Sequence, residues 1–118
     1  MMLDWNAYRD QIAASVKEMS AANPEVVKGY SALHHANAKS TRLDARTREL
    51  IALGVAVTLR CDGCINAHVE AAIKAGVSKE EIVDALGVAI MVNAGAALVY
   101  SARTMDAFHA KTDTAPSA

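Results

Sequence analysis

Only two prolines interrupt these 118 residues, of which 53% are apolar and 21% charged. So unbroken and hydrophobic a chain is neither a loop-rich scaffold nor an intrinsically disordered one. A basic excess is missing too: 12 Lys plus Arg stand against 13 Asp plus Glu, for a net charge of −1. Nothing is left over to neutralise a phosphate backbone, so no nucleic-acid partner is expected. The leading Met1-Met2-Leu3-Asp4-Trp5-Asn6 has neither the basic nor the apolar region of a secretory signal, which predicts a cytoplasmic location. The longest nearly uncharged stretch, residues 85–100, contains Asn93 and falls short of the roughly 18 residues a bilayer span needs. A buried helix is expected there, and no membrane partner. Two cysteines are too few for a secreted disulfide framework, and the length allows one domain with one active site.

What the chain does have is helix-forming sequence. Its 25 alanines lose no side-chain entropy in a helix and let helix axes approach closely. A first helix is predicted over 5–21, capped by Asp4, with Trp5, Tyr8, Ile12, Val16 and Met19 on a buried face. Asn23-Pro24-Glu25 reads as N-cap, first-position proline and first-turn acid of a second helix, carrying Val26, Val27, Tyr30 and Leu33 and fading near Lys39. Asp44 caps a third over 45–59, with Leu50, Leu53, Gly54 and Val57 as its apolar stripe. A fourth, over 62–75, is amphipathic through Ile65, Val69, Ala72 and Ile73 and ends at Gly76. Ser78-Lys79-Glu80-Glu81 is a capping box that starts another helix at Lys79.

Residues 82–100 are apolar on every side, more than one small core can bury, which predicts a subunit interface. Asn93-Ala94-Gly95 is expected to divide this stretch into two helices, the second ending near Ala110. The fold class is therefore all-α, a compact bundle of five to six helices. Residues 1–110 form a single domain, and the polar residues 111–118 are expected to be a disordered tail.

Chemistry concentrates in Arg60-Cys61-Asp62-Gly63-Cys64-Ile65-Asn66-Ala67-His68. In a helix starting near Asp62, Cys64 and His68 share a face, and Cys61 sits at the N-terminal edge. Amides and the dipole at a helix N-terminus stabilise a thiolate, so a reactive dithiol that cycles with its disulfide is the natural reading. Helix-terminus logic favours the outer Cys61 as nucleophile. Zinc is the competing reading, with two thiols, His68 and a fourth ligand such as Glu49, although no second Cys/His pair closes a structural site. Of the remaining polar groups, His34, His35 and His109 read as solvent-facing or dipole partners. Arg46 and Arg48 flank Glu49 and can bind an anionic substrate, with helix-surface ion pairing as their default role.

From about Asp44 to Phe108 the chain resembles the alkylhydroperoxidase D-like branch of the carboxymuconolactone decarboxylase superfamily. The resemblance rests on Glu49 twelve residues before Cys61-x-x-Cys64-x-x-x-His68. Arg46-Thr47-Arg48-Glu49-Leu50-Ile51 and Glu81-Ile82-Val83-Asp84-Ala85-Leu86 support it. It implies an alkylhydroperoxidase D-like fold with the Cys-x-x-Cys motif on a helical hairpin, in a homotrimer or homohexamer. It also implies an antioxidant thiol peroxidase or disulfide reductase acting on organic hydroperoxides or hydrogen peroxide. Cys64 would attack, Cys61 resolve, and Glu49 and His68 relay protons. An external dithiol, lipoyl or thioredoxin-like, would return the electrons, and no bound cofactor is required. Gly63 stands where the best-known members carry a histidine. The wider superfamily offers a lyase alternative, decarboxylation of a small carboxylated lactone. A third possibility is a zinc- or small-molecule-binding oligomeric module. One geometric condition attaches to the relay: along one unbroken helix Glu49 and Cys61 lie about 18 Å apart, so it needs a chain break, which the Cys61–Gly63 interruption supplies, or crossing helices, a bridging water or a second subunit.

Overall fold

The computed structural model describes residues 1–39 and 41–113. It contains six helices: α1 (Trp5–Ala22), α2 (Pro24–Ala38), α3 (Ala45–Leu59), α4 (Asp62–Lys74), α5 (Lys79–Tyr100) and α6 (Ala102–Thr112). Caps read from sequence set most of the starts. Asp4 accepts the Ala7 amide at 3.1 Å and Asp44 the Thr47 amide at 2.7 Å. Both halves of the Ser78/Glu81 capping box are made. Asn23 occupies the predicted cap position, with Pro24 at the first turn, yet its side chain makes no capping bond.

Two helix ends turn the chain through the same device. At Gly76 (φ 78°), the Gly76 amide donates to Ile73 and the Val77 amide to Ala72, both at 3.0 Å. At Arg60 (φ 54°), the Arg60 amide donates to Val57 at 3.2 Å and the Cys61 amide to Ala56 at 3.1 Å. This is the Schellman pattern, which satisfies the last carbonyls with one left-handed residue. Glycine is the usual occupant, and Arg60 adopts the conformation without that freedom. The turns fold α4 back on α3 and then bring α5 to α3's other side.

Burial is confined to this three-helix centre. Leu53, Ala72 and Val77 form the core cluster, with Leu50, Val69, Ala75 and Ile82 packed around it. Ala56 and Ala89 are also buried, and Gly54 faces Ala89, so small residues let α3 and α5 run closely side by side. Arg46 fastens the assembly from the side, donating to the Gly76 carbonyl and to both carboxylate oxygens of Glu81. That pairing holds the Glu81 carboxyl below its ordinary range.

The chain is all-α as expected, but several finer expectations need correction. It is elongated rather than compact: its radius of gyration is 20.7 Å, where a compact chain of this length has about 13.5 Å. No residue of α1, α2 or α6 is buried. The predicted α1 face lies open, with Ile12, Val16 and Met19 exposed, as are Val57 of α3 and Ile73 of α4. The reason is thickness: α1 packs only on α2 and α4, and two or three helices in contact cannot enclose an interior.

The break expected at Asn93-Ala94-Gly95 is absent as well. The Asn93 amide donates to its own helix at Ala89 O (2.7 Å) and to Thr58 Oγ1 (2.8 Å), so the polar side chain is satisfied without leaving the helix. The only interruption comes at Ser101, which keeps right-handed helical angles (φ −58°, ψ −24°) and donates its amide to the Ala97 carbonyl, so α6 carries the helix on to Thr112, two residues into the expected tail. Residues 114–118 lie outside those described. Residues 85–102 carry no charge, and by length and composition the continuous run Lys79–Thr112 is long and apolar enough to cross a membrane. The sequence estimate had stopped two residues short.

Candidate active site

Cys61, capping α4, opens the site. Its Sγ accepts the Cys64 amide at 3.2 Å, a cap bond in which sulfur replaces the usual side-chain oxygen. The two cysteines are joined by a disulfide, with Cα atoms 5.2 Å apart, a separation that one helical turn supplies naturally. Asp62 and Gly63 begin the helix between them. A Cβ on Gly63 would meet only the Tyr8 ring, at 3.9 Å, so this position faces α1 and not the pocket described next.

The α3–α4 turn meets the geometric condition set by the sequence. Folding α4 back on α3 brings His68 to Glu49, nineteen residues away, and His68 Nδ1 lies 2.7 Å from Glu49 Oε2. Both side chains are mostly shielded, 32% and 20% exposed. A carboxylate can only accept, so Nδ1 is the donor in this bond, and Nε2 is the ring nitrogen left for acid–base exchange. Asn66, two residues past Cys64, fixes α4 to α1 by donating to the Trp5 carbonyl at 2.5 Å.

Cys64 and His68 line one open pocket of about 340 Å³. Its opposite wall is a stripe of α3, Arg48, Ala52, Val55 and Leu59, with Asn37 at the end of α2 and Leu43 of the α2–α3 connection closing it. Cys61 and Glu49 do not line it. Of the four residues singled out in the sequence, Cys64 and His68 thus face the pocket, while Cys61 and Glu49 stand directly behind them. His34, His35 and His109 are elsewhere, His35 bonding the Ser31 carbonyl in its own helix. Among the described residues no three or more His, Cys, Asp or Glu side chains gather into a metal-ligand set.

Arg48, which the sequence offered as an anion binder with helix-surface ion pairing as its default, donates through Nη1 to the Leu43 carbonyl at 2.5 Å and lines the pocket. The signal was present: positions 48, 52, 55 and 59 follow helical spacing, so they form a second stripe beside the core-facing 50, 53, 54 and 57.

Comparison with known proteins agrees with the all-α fold. The model of the carboxymuconolactone decarboxylase family matches residues 24–107. An uncharacterized protein of Haemophilus influenzae is 47% identical over 92% of this chain and 96% of its own. Uncharacterized protein 4 in the cox locus of Paracoccus denitrificans is 33% identical over 79% of this chain and 84% of its own. Among solved structures, a carboxymuconolactone decarboxylase family protein from Legionella pneumophila superposes with a TM-score of 0.71 at 32% identity, covering 89% of this chain and 94% of that one. A Methanobacterium thermoautotrophicum protein gives 0.68 at 29% identity, covering 73% and 97%.

Proposed function

The chain belongs to the carboxymuconolactone decarboxylase family, and from that premise we propose that it is a dithiol peroxidase of the alkylhydroperoxidase type. The observation that carries this reading is the Glu49–His68 hydrogen bond behind the pocket that Cys64 lines. In the reduced protein, His68 Nε2 takes the Cys64 proton while Glu49 holds Nδ1–H and stabilises the imidazolium. The Cys64 thiolate attacks the distal oxygen of ROOH: an S–O bond forms, the O–O bond breaks, and the leaving alkoxide takes the proton from His68 as ROH. Cys61 then attacks the Cys64 sulfenic acid, forming the S–S bond and releasing water. An external dithiol, lipoyl or thioredoxin-like, returns two electrons by thiol–disulfide exchange, with no bound cofactor.

Placement supports this division of labour over the helix-terminus argument for Cys61. The attacking sulfur must meet substrate, and Cys64 is the cysteine that faces the pocket. The lyase alternative gives the cysteine pair no role.

We further propose that the protein works in the cytoplasm as a homo-oligomer, a trimer or hexamer. The apolar surfaces of α5 and α6, including Ile90, Leu98, Val99 and Phe108, are exposed in the single chain. A contiguous apolar surface of this kind marks an interaction site. Covering it with further copies also supplies the interior that one chain lacks.

The test is a thiol count on reduced, metal-free protein before and after one equivalent of tert-butyl hydroperoxide, beside a free-thiol control. Loss of two thiols per chain, far faster than the control and abolished by Cys64→Ser, is expected. Unchanged thiols, or stoichiometric zinc in the purified protein, refute the peroxidase.

A further inference from the structure

The pocket in front of Cys64 is chemically lopsided. One wall is aliphatic, from Ala52, Val55 and Leu59, and hydroperoxides of any size could rest there. Among the described residues, the one full cationic group on its walls is Arg48. It stands at the N-terminal end of the aliphatic stripe, one helical turn before Ala52. The Leu43 carbonyl holds the guanidinium through Nη1, which orients the planar fork instead of leaving it to swing. Among the described residues no carboxylate lines the pocket: Glu49 is turned to His68, and Glu81 is engaged by Arg46 outside it. Arg46, the other arginine flanking Glu49, does not line the pocket, whereas Arg48 does.

We propose that Arg48 makes this a pocket for amphiphilic anions, and that the preferred substrates are alkyl hydroperoxides bearing a carboxylate. Guanidinium and carboxylate match in shape and charge, while the aliphatic stripe receives the chain between the carboxylate and the reacting end. A pocket of about 340 Å³ is at the small end of ligand-sized cavities, which suits a medium-length chain better than a bulky ring system. A neutral hydroperoxide enters the same pocket without engaging Arg48, so the residue determines specificity and takes no part in the bond-making steps. The hydroperoxide half of this assignment depends on the peroxidase reading; the anion half does not.

The two halves are tested separately. With the full-length disulfide form, calorimetry compares octanoate with octan-1-ol, ligands of equal chain length and different charge. The expected result is that octanoate binds about tenfold more tightly, one decade being about 1.4 kcal/mol, and that the preference shrinks as salt is raised. Arg48→Gln brings the ratio close to one, and Arg48→Lys restores part of it. Because each variant is judged by the ratio between two ligands, a partly unfolded sample does not imitate the effect. Equal binding by the wild type, failure of both ligands to bind, or an unchanged ratio in Arg48→Gln overturns the anion pocket. Thiol oxidation by a hydroperoxy fatty acid and by its methyl ester then tests substrate choice, the acid reacting faster in the wild type and equally in Arg48→Gln. Octanoate preference without any thiol oxidation, by these or by tert-butyl hydroperoxide, refutes the peroxidase and the hydroperoxide half together, while the anion pocket stands.

Discussion

Replacing Glu49 by Gln keeps the side-chain shape and removes the charge that faces His68. The amide oxygen can still accept Nδ1–H, so the ring stays in place, but nothing anionic then offsets the imidazolium formed as Cys64 ionises. A hydrogen bond to a charged group is worth roughly 1.5 to 3 kcal/mol. Exposure of 20% for Glu49 and 32% for His68 lets water screen part of that, which favours the lower end of the range. About 1.5 to 2 kcal/mol at 1.36 per decade makes thiol oxidation by tert-butyl hydroperoxide roughly 10- to 30-fold slower. Stopped-flow thiol assays on the reduced variant at neutral pH measure it, with the melting temperature as a check on folding. The pair should also act as a unit, so Glu49→Gln added to His68→Gln costs little beyond His68→Gln alone. A Glu49→Gln rate within twofold of wild type, or full additivity in the double variant, refutes the relay.

Leu53 is 3% exposed at the centre of the core cluster; Leu53→Ala should cost about 2 to 4 kcal/mol in urea unfolding at fixed protein concentration, and a loss under 1 would contradict the placement of the core. Glu81 is held below its usual range by Arg46, and Asp44 by the Thr47 amide. Both bind protons less readily folded than unfolded, so their stabilisation is complete above about pH 4.5 and drains as pH falls through the lower folded values. The melting temperature should drop over that acid window, less steeply for Glu81→Gln. Leu98→Asp places a charge on the apolar α5 surface, where Leu98 is 77% exposed in the single chain; light scattering should show a smaller species, and an unchanged mass would remove α5 from the proposed interface. Arg60→Gly relieves a left-handed residue at the cost of backbone entropy, for a net gain of up to about 1 kcal/mol in unfolding free energy, and a lower denaturation midpoint would contradict it.

Local signals carried most of the secondary structure. Asp4, Asp44, the Ser78/Glu81 box and Gly76 act within four residues of themselves, and each stands where the sequence indicated. The Arg60 turn was legible only as an interruption, because a left-handed cap on a non-glycine residue leaves no compositional mark. Asn93 and Gly95 misled for the opposite reason: their local preference for a break is outweighed by the Asn93–Thr58 bond, a contact 35 residues distant. In the site, Cys64 and His68 were readable from their spacing. Glu49 was readable only through family resemblance, since its contact depends on how α4 folds back. Arg48 was named beside Arg46 as an anion binder, but which of the two lines the pocket depends on the packing of α4 and the α2–α3 connection against α3.

Site and stability are distributed differently along the chain. Cys61, Cys64, His68, Glu49 and Arg48 all belong to α3, α4 and the turn between them, and those helices also hold Leu53, Ala56 and Ala72, most of what is buried. The chemistry proposed here therefore needs nothing from α6 and little from α1 beyond the Asn66–Trp5 bond. The long apolar α5–α6 run, by contrast, contributes to the interior only near its start, through Ile82 and Ala89. Hydrophobic area left in water is a cost to the folded chain, and few buried side chains remain to offset the ordering of more than 100 residues. A chain built this way holds the whole of the proposed site but only part of a core. Dilution should thus unfold the protein through loss of assembly, and each subunit that survives in the oligomer should retain its full complement of reactive thiols.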